Sequence, residues 1–393
     1  MIDWISNPHP PSVETGAMVP EYLRPAAIGE ARDFLSGCPA YEVTPLHSMD
    51  ALAREIDVDR LWIKDESQRF GLNAFKVLGG AYAIGQLLGE LTGAQEWETL
   101  TRMHPDQRHR WGPLVSATDG NHGFGVAWTA AQMGLESIIF MPHGASPARV
   151  RRIEALGARV IVTEHNYDGA VRQADTYARR EGGHLVQDTA WPGYEQVPQW
   201  IMQGYGVIID EVWEQLQAMG ESPPTHLLLQ VGVGSFAASM IGAVAARTPV
   251  MPATILIEPK EAAPLFHSVR TNAKQPVGIS GDLNTLMAGL SCGEINPLAW
   301  DLLRTYGNYF VTCSDAVTVE GMRRLAHPLE SDPIVVAGES GAVGVGLLIQ
   351  MQKDPDLETS GRAWGLSSTA RVLCINTEGD TDPESYQQLI ADS

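Results

Sequence analysis

The chain of 393 residues is 44% hydrophobic and carries 27 basic against 47 acidic residues, a formal net charge of -20. That is enough apolar material for a substantial core in two domains or one large α/β unit, while the acidic balance repels polyanions and argues against nucleic acid as a partner. Cys38, Cys292, Cys313 and Cys374 are scattered, with no Cys-x-x-Cys and no histidine at metal-ligand spacing, so neither a metal site nor a disulfide scaffold is indicated.

Met1-Ile-Asp-Trp-Ile-Ser-Asn-Pro lacks the basic start and apolar core of a secretory signal, and no run approaches the roughly 18 apolar residues of a membrane span. A cytoplasmic chain with reduced thiols and no membrane partner is the expectation. Residues 1–40 are rich in proline and turn formers and are expected to wrap the surface, with a short helix between Pro20 and Leu35. Thr44-Pro-Leu-His47 then leads into a helix over Met49 to Ile56 and a strand at Leu61-Trp-Ile-Lys64.

The next stretch, Ser67-Gln-Arg-Phe-Gly-Leu-Asn-Ala-Phe-Lys-Val-Leu-Gly-Gly-Ala81, sets Lys76 among apolar and small neighbours rather than solvating charges. Such surroundings disfavour an ammonium and make a lysine nucleophilic near neutral pH. A helix from Ala81 to Glu90 follows. Gly93 to Gly112, with Trp97, Trp111, His104, His109, Arg102, Arg108 and Arg110, lacks any fixed spacing and is expected to be a solvated loop or helix covering one end of a domain.

From Leu114 the pattern is regular. A strand is followed by a helix over His122 to Met133, a strand at Ser137-Ile-Ile-Phe140, a helix over Pro147 to Leu156, a strand at Arg159-Val-Ile-Val162, a helix over Gly169 to Glu181 and a strand at His184-Leu-Val-Gln187. After a loop and a long helix from Trp200 to Met219, a second series has strands at Thr225–Val231, Pro252–Glu258, Tyr309–Cys313, Ile334–Ala337 and Ala370–Asn376. Alternating apolar runs and helices imply an α/β fold of two lobes, each an open, mainly parallel sheet with helices on both faces. Ligands bind beyond the carboxyl ends of such strands, where Asp119 and Asp188 both fall.

Two strand-to-helix turns are glycine-rich: Ser116-Ala-Thr-Asp-Gly-Asn-His-Gly-Phe-Gly125 and Leu227-Leu-Leu-Gln-Val-Gly-Val-Gly-Ser-Phe236. Glycines there let backbone N–H groups converge on an anion at a helix N-terminus. A lone Gly-x-Gly-Ser suits a plain tight turn equally well, and Gly232-Val-Gly-Ser-Phe-Ala-Ala lacks the third glycine of a dinucleotide fingerprint.

Taken in this order, the lysine, asparagine and glycine stretches resemble the fold type II (tryptophan synthase β-like) family of pyridoxal-phosphate enzymes over nearly the whole chain. The resemblance is greatest to the branch that eliminates ammonia from 2,3-diaminopropionate, through Lys64-Asp-Glu-Ser67, Asn73-Ala-Phe-Lys76, Ala117-Thr-Asp-Gly-Asn-His122, Gln187-Asp-Thr-Ala-Trp191, Gly338-Glu-Ser-Gly341 and Asn376-Thr-Glu-Gly-Asp380. It implies pyridoxal phosphate as cofactor, Lys76 as its covalent anchor, Gly232, Val233, Gly234 and Ser235 as its phosphate loop, Asn121 beside the ring's phenolic oxygen and Thr377 beside the ring nitrogen. It places Asp119 and Asp188 at the acid–base positions for the D- and L-substrate respectively, with Thr189 and Glu339 on the substrate side and Thr44-Pro-Leu near the entrance.

Serine and threonine dehydratases of this fold have a small neutral residue where this chain has Asp119, and a carboxylate there complements a second ammonium group better than a hydroxyl. Those dehydratases, and lyases of other β-substituted alanines, are the alternative. Ala74 departs from the serine that many relatives use to help hold phosphate. The resemblance further implies a large cofactor domain (1-76 and 191-393), a small substrate-side domain (77-190), a small amino-acid substrate and a homodimer.

Overall fold

The protein is described from a computed structural model that covers residues 2–8, 16–104, 111–118, 120–353, 357 and 361–391. Its strands are β1 (Ile2–Ser6), β2 (Leu46–Ser48), β3 (Arg60–Asp65), β4 (Leu114–Ala117), β5 (Ser137–Met141), β6 (Arg159–Val162), β7 (His184–Leu185), β8 (His226–Gln230), β9 (Ala253–Pro259), β10 (Tyr309–Cys313) and β11 (Arg371–Asn376). They form a seven-stranded sheet in the order β1-β10-β9-β8-β11-β3-β2 and a four-stranded sheet in the order β6-β5-β4-β7. Among the described strands, only the edge strands β1 and β2 run antiparallel to their neighbours. The expected mixed fold with mainly parallel sheets is what the chain adopts, and β5 and β8 are buried along their whole length, as strands covered on both faces must be.

Strand order locates the ligand crevice. In the large sheet β9 and β10 extend from one side of β8 while β11 and β3 lie on the other; in the small sheet β5 and β6 extend from one side of β4 and β7 lies on the other. The chain thus leaves both switch points in opposite directions, opening a gap beyond the carboxyl ends of the flanking strands. Four segments enter those gaps: Val231–Ser235 after β8, Thr377–Asp380 after β11, Gly120–Asn121 after β4 and Val186–Asp188 after β7.

Lys76 is carried by a different device. It immediately precedes the helix Val77–Thr92, longer at both ends than the sequence pattern suggests. This helix crosses the long helix Gln196–Met219 where two glycines meet: a Cβ on Gly204 would come 2.6 Å from the Leu78 carbonyl oxygen, and one on Gly79 would come 2.7 Å from that of Ile201. Gly125, in the helix Asn121–Met133, faces Val77 as closely, its Cβ position lying 2.9 Å from Val77 Cα. Backbones touching at three points leave the first turn after Lys76 little freedom.

Several expectations fail for identifiable reasons. Residues 2–6 form an edge strand paired with β10, and the helix Pro25–Ser36 buries Ile28, Ala31 and Leu35, so the N-terminal segment belongs to the core as well as the surface. Trp97 and Leu100, in the helix Trp97–Thr101, are buried as well; Trp97 packs edge-on against Phe34 and tilted against Trp128, so this part of Gly93–Gly112 is not solvated. Arg108, His109 and Arg110 lie outside the described residues. Ile334–Ala337 alternates buried and exposed side chains like a strand but is not one, because the Val335 N–H is spent on the Leu325 carbonyl of the preceding helix. No disulfide joins the four cysteines, all of which are buried. No helix among the described residues is long and apolar enough to cross a membrane.

A buried ion network ties β3 to the long helix. Lys64 Nζ lies 2.6 Å from Glu211 Oε2, and the Arg69 guanidinium reaches both Glu66 and Glu211 at 2.7–2.8 Å, with all four side chains fully buried. Thr44, expected near the entrance, donates its hydroxyl to Glu66 here. Removing one member of such a set leaves an uncompensated buried charge, a loss of about 3–5 kcal/mol.

Two outcomes follow. Gly204→Ala is expected to destabilise the chain by about 1–3 kcal/mol, because the methyl meets backbone that cannot yield, whereas Gly29→Ala, in a helix with open space at that position, adds about 0.5–1 kcal/mol; thermal unfolding of the pair measures the contrast. Burial pushes the Glu211 carboxyl up, but Arg69 and Lys64 outweigh it and hold the group below its ordinary value of 4.5. Its stabilisation is therefore complete above that pH and lost as the pH falls below it. Glu211→Gln is less stable throughout and its Tm falls less between neutral and acid pH, which a pH series of melting curves tests.

Candidate active site

The four segments and Lys76 converge on one cleft with an empty volume of about 490 Å³, its open mouth included. Lys76, Asn121, Asp188, Gly232, Val233, Gly234, Ser235 and Thr377 all line it. Lys76 Nζ lies 2.8 Å from Asp188 Oδ2, joining the residue ahead of the helix Val77–Thr92 to the segment that follows β7 of the four-stranded sheet. The second carboxylate oxygen accepts from Tyr167 Oη at 3.0 Å and Gln187 Nε2 at 3.2 Å. Burial alone would raise this acid. The Lys76 ammonium, His122 and the Tyr167 hydroxyl together outweigh burial and hold Asp188 well below the usual carboxylate range, so it is ionised at neutral pH.

The cradle opposite is built from backbone. After β8 the chain turns through Gly234 at φ 94°, a left-handed conformation that suits glycine, into the helix Ser235–Ala245. A Cβ on Gly232 would come 2.9 Å from the Gly289 carbonyl oxygen, and one on Gly234 2.8 Å from Leu303. The N–H groups of Gly232 to Ala237 find no acceptor among the described residues. Six such donors at a helix N-terminus, beside an ammonium, make an anion site of phosphate character. Asn296 fixes its outer wall: its Nδ2 donates to Ser235 Oγ at 2.7 Å, its backbone N–H to the Val233 carbonyl at 2.7 Å, and its Oδ1 caps the helix Pro297–Tyr306. Ser235 Oγ in turn donates to the Asp188 carbonyl.

At the far side, Asn121 Nδ2 donates to Glu378 Oε2, whose partner oxygen accepts from the Ser340 N–H at 2.9 Å. The Ser340 hydroxyl is buried in the cleft lining with no partner among the described residues. Thr377 Oγ1 accepts from Gln230 Nε2 at 2.9 Å. An amine, a backbone anion cradle, a hydroxyl and an asparagine amide, with an orphan hydroxyl besides, fit the aldehyde, phosphate and ring substituents of pyridoxal phosphate.

The other expected residues lie apart. Glu339 borders an adjoining cavity with Tyr167, Arg149 and Asp382, its Oε2 3.8 Å from Arg149 Nη2. Burial and then the neighbouring Glu378 raise its carboxyl, with Arg149 opposing. Thr189 faces a third cavity with Asp168 and Trp191, although Val233 is shared with the cofactor cleft. Asp119 lies outside the described residues. Ala74 is buried and bridges to Glu378. Sequence reasoning missed Tyr167, Gln230, Asn296, Ser340 and Glu378. Ser340 and Glu378 stand beside residues singled out in short motifs, whereas nothing marks Asn296, 61 positions from the serine it holds.

Asn296→Ala removes a helix cap and the clamp on Ser235 together. A loss of about 1–2 kcal/mol in stability and weaker binding of inorganic phosphate to the cofactor-free protein are expected, measured by thermal unfolding with and without phosphate.

Residues 38–377 match the family of pyridoxal-phosphate dependent enzymes. The chain is 44% identical over 365 residues to the diaminopropionate ammonia-lyase of Escherichia coli (strain K12), covering 92% of this chain and 90% of that protein. The crystal structure of the Escherichia coli diaminopropionate ammonia lyase in complex with an aminoacrylate-PLP azomethine reaction intermediate superimposes with a TM-score of 0.91 at 41% identity, over 99% of this chain and 97% of that one. An L-threonine dehydratase of Haemophilus influenzae is 24% identical over 84% of this chain and 56% of its own length. The cleft and these likenesses agree: the chain belongs to the family of pyridoxal-phosphate dependent enzymes.

Proposed function

We propose that this chain catalyses pyridoxal-phosphate-dependent α,β-elimination of 2,3-diaminopropionate, giving pyruvate and ammonia. The observation that carries the reading is the Lys76 amine held 2.8 Å from an ionised Asp188 in a cleft whose other wall is a row of unclaimed backbone N–H groups. When bound, pyridoxal phosphate supplies an aldehyde that bonds to amines and a ring that accepts the electron pair left by a departing α-proton.

The side chains have the remaining tasks. Gly232, Val233, Gly234 and Ser235 hold the phosphate, Asn121 the phenolic oxygen and Thr377 the ring nitrogen. Lys76 anchors the cofactor, gives way to the substrate's α-amine and serves as a base for the α-proton. Asp188 moves that proton for the L-enantiomer, its other oxygen held by Tyr167 and Gln187 so that the carboxylate keeps one orientation. Asp119, from its place in the sequence resemblance, does so for the D-enantiomer. Glu339 and Thr189 belong to the substrate side, and Asp119 is the carboxylate that complements the second ammonium group. Loss of the β-amine as ammonia leaves an enamine that water hydrolyses to pyruvate and a second ammonia.

We assign residues 1-76 and 191-393 to a cofactor domain and 77-190 to a substrate-side domain, supported by the strands of the two sheets falling on either side of those boundaries. A homodimer working on a free amino acid in the cytoplasm completes the reading, on the resemblance alone.

Loaded protein is expected to absorb near roughly 410–420 nm, and Lys76→Ala to lose that band. Asp188→Asn is expected to keep the band and lose roughly 10²–10⁴-fold in turnover, more for the L- than the D-diamine. Assays of both enantiomers beside serine and threonine decide the substrate; turnover of only the hydroxy amino acids would overturn the assignment.

A further inference from the structure

We propose that Gln230 is a positioning residue that, by donating to the Thr377 hydroxyl and presenting it no acceptor, leaves that hydroxyl's proton for donation toward the ring nitrogen. The inference rests on the proposed placing of Thr377 beside that nitrogen.

The strands β8 and β11 separate before either reaches its end. Their backbone pairing runs from Val372 opposite His226 to Cys374 opposite Leu228 and then stops, leaving the Ile375 carbonyl without a ladder partner from β8. Gln230, buried at the end of β8, replaces that partner with its side chain: Nε2 donates to the Ile375 carbonyl at 2.9 Å and to Thr377 Oγ1 at 2.9 Å. The carbonyl fixes which end of the amide faces it, because turning the amide over would set two acceptors against each other. Both Nε2 hydrogens are thereby used, one on each oxygen.

Thr377 Oγ1 must then accept from Gln230, and its own hydrogen points elsewhere. Thr377 lines the cleft beside Lys76, and no acceptor for that hydrogen exists among the described residues. A hydroxyl is ordinarily ambivalent, able to meet a bare pyridine nitrogen as donor or a protonated one as acceptor. Here the glutamine takes one of the oxygen's two lone pairs and offers no acceptor, so a protonated ring nitrogen would leave the hydroxyl's hydrogen without a partner among the described residues. The site favours an unprotonated ring nitrogen, and the sequence position that sets this preference is Gln230 rather than the hydroxyl itself.

The test compares binding of pyridoxal phosphate with that of its carbocyclic analogue, in which C–H replaces the ring nitrogen, to full-length protein stripped of cofactor. The natural protein is expected to prefer pyridoxal phosphate by roughly five- to tenfold, the worth of one hydrogen bond. Gln230→Glu puts an acceptor beside Thr377, draws the hydroxyl's hydrogen away from the ring, and is expected to bring the ratio near one. Gln230→Met, with neither donor nor acceptor, is expected to give an intermediate ratio and decides the matter if the glutamate variant does not fold. Equal weakening of both ligands, with the ratio intact, would mean that Gln230 only supports the fold and would overturn the inference. Thr377→Val separates the underlying reading: its ratio is expected to fall to one, and a ratio that persists there places the ring nitrogen away from Thr377 and defeats the inference at its base.

Discussion

An ammonium facing a carboxylate across the gap between two sheets is the contact on which the arrangement turns. Lys76 and Asp188 are 112 residues apart, one ahead of a helix that packs on the long helix beside the seven-stranded sheet, the other just beyond β7 of the four-stranded one. Each is overdetermined from behind. Three close backbone contacts at Gly79, Gly204 and Gly125 hold the turn after Lys76, while Tyr167, Gln187 and the Ser235 hydroxyl, reaching the Asp188 carbonyl, hold the aspartate segment. A charge pair this buried persists only when its members cannot drift apart or find water, so the surrounding packing is what makes the chemistry available.

Both sheets open their clefts by the same substitution of side chain for backbone. Beyond Leu185 the small sheet continues through the Gln187 side chain, whose Oε1 accepts from the Ala117 N–H at 2.9 Å; beyond Leu228 the large sheet continues through Gln230. A parallel ladder carried to its end would bring the neighbouring backbones together and leave no room between them. A glutamine keeps the orphaned backbone groups satisfied while letting the strands diverge, and leaves side-chain atoms free to reach Asp188 in one case and Thr377 in the other. The same residue type thus serves sheet and site at once.

How much of this was legible follows from the range over which each signal acts. Alternating apolar runs and glycine turns are local, so most of the core strands and the glycine turns could be read from spacing alone, while assigning the turn after β8 to a phosphate rested on the family resemblance. Ile334–Ala337 read as a strand because alternation reports burial on one face, and a segment lying on a helix satisfies that as well as one in a ladder. β1 and β2 were missed because short antiparallel edges carry no apolar run of their own. Asn296, Tyr167 and Glu378 act through contacts with residues 61, 21 and 257 positions away, which no single-sequence pattern records.

The electrostatics of the mouth bear on selectivity. Glu339, Arg149 and Asp382 share the cavity adjoining the cofactor cleft, and Tyr167, which holds Asp188, borders it too. Burial and Glu378 disfavour a charged Glu339, and Arg149 offsets only part of that. An incoming ammonium would reverse the balance by giving the carboxylate a partner at short range, so an amine is welcomed where a neutral hydroxyl gains little. On the proposed function, a carboxylate that is uncomfortable when alone would favour a diamine over a hydroxy amino acid, and the excess of acidic residues over the whole chain, net charge -20, would act in the same direction on a cationic substrate at long range.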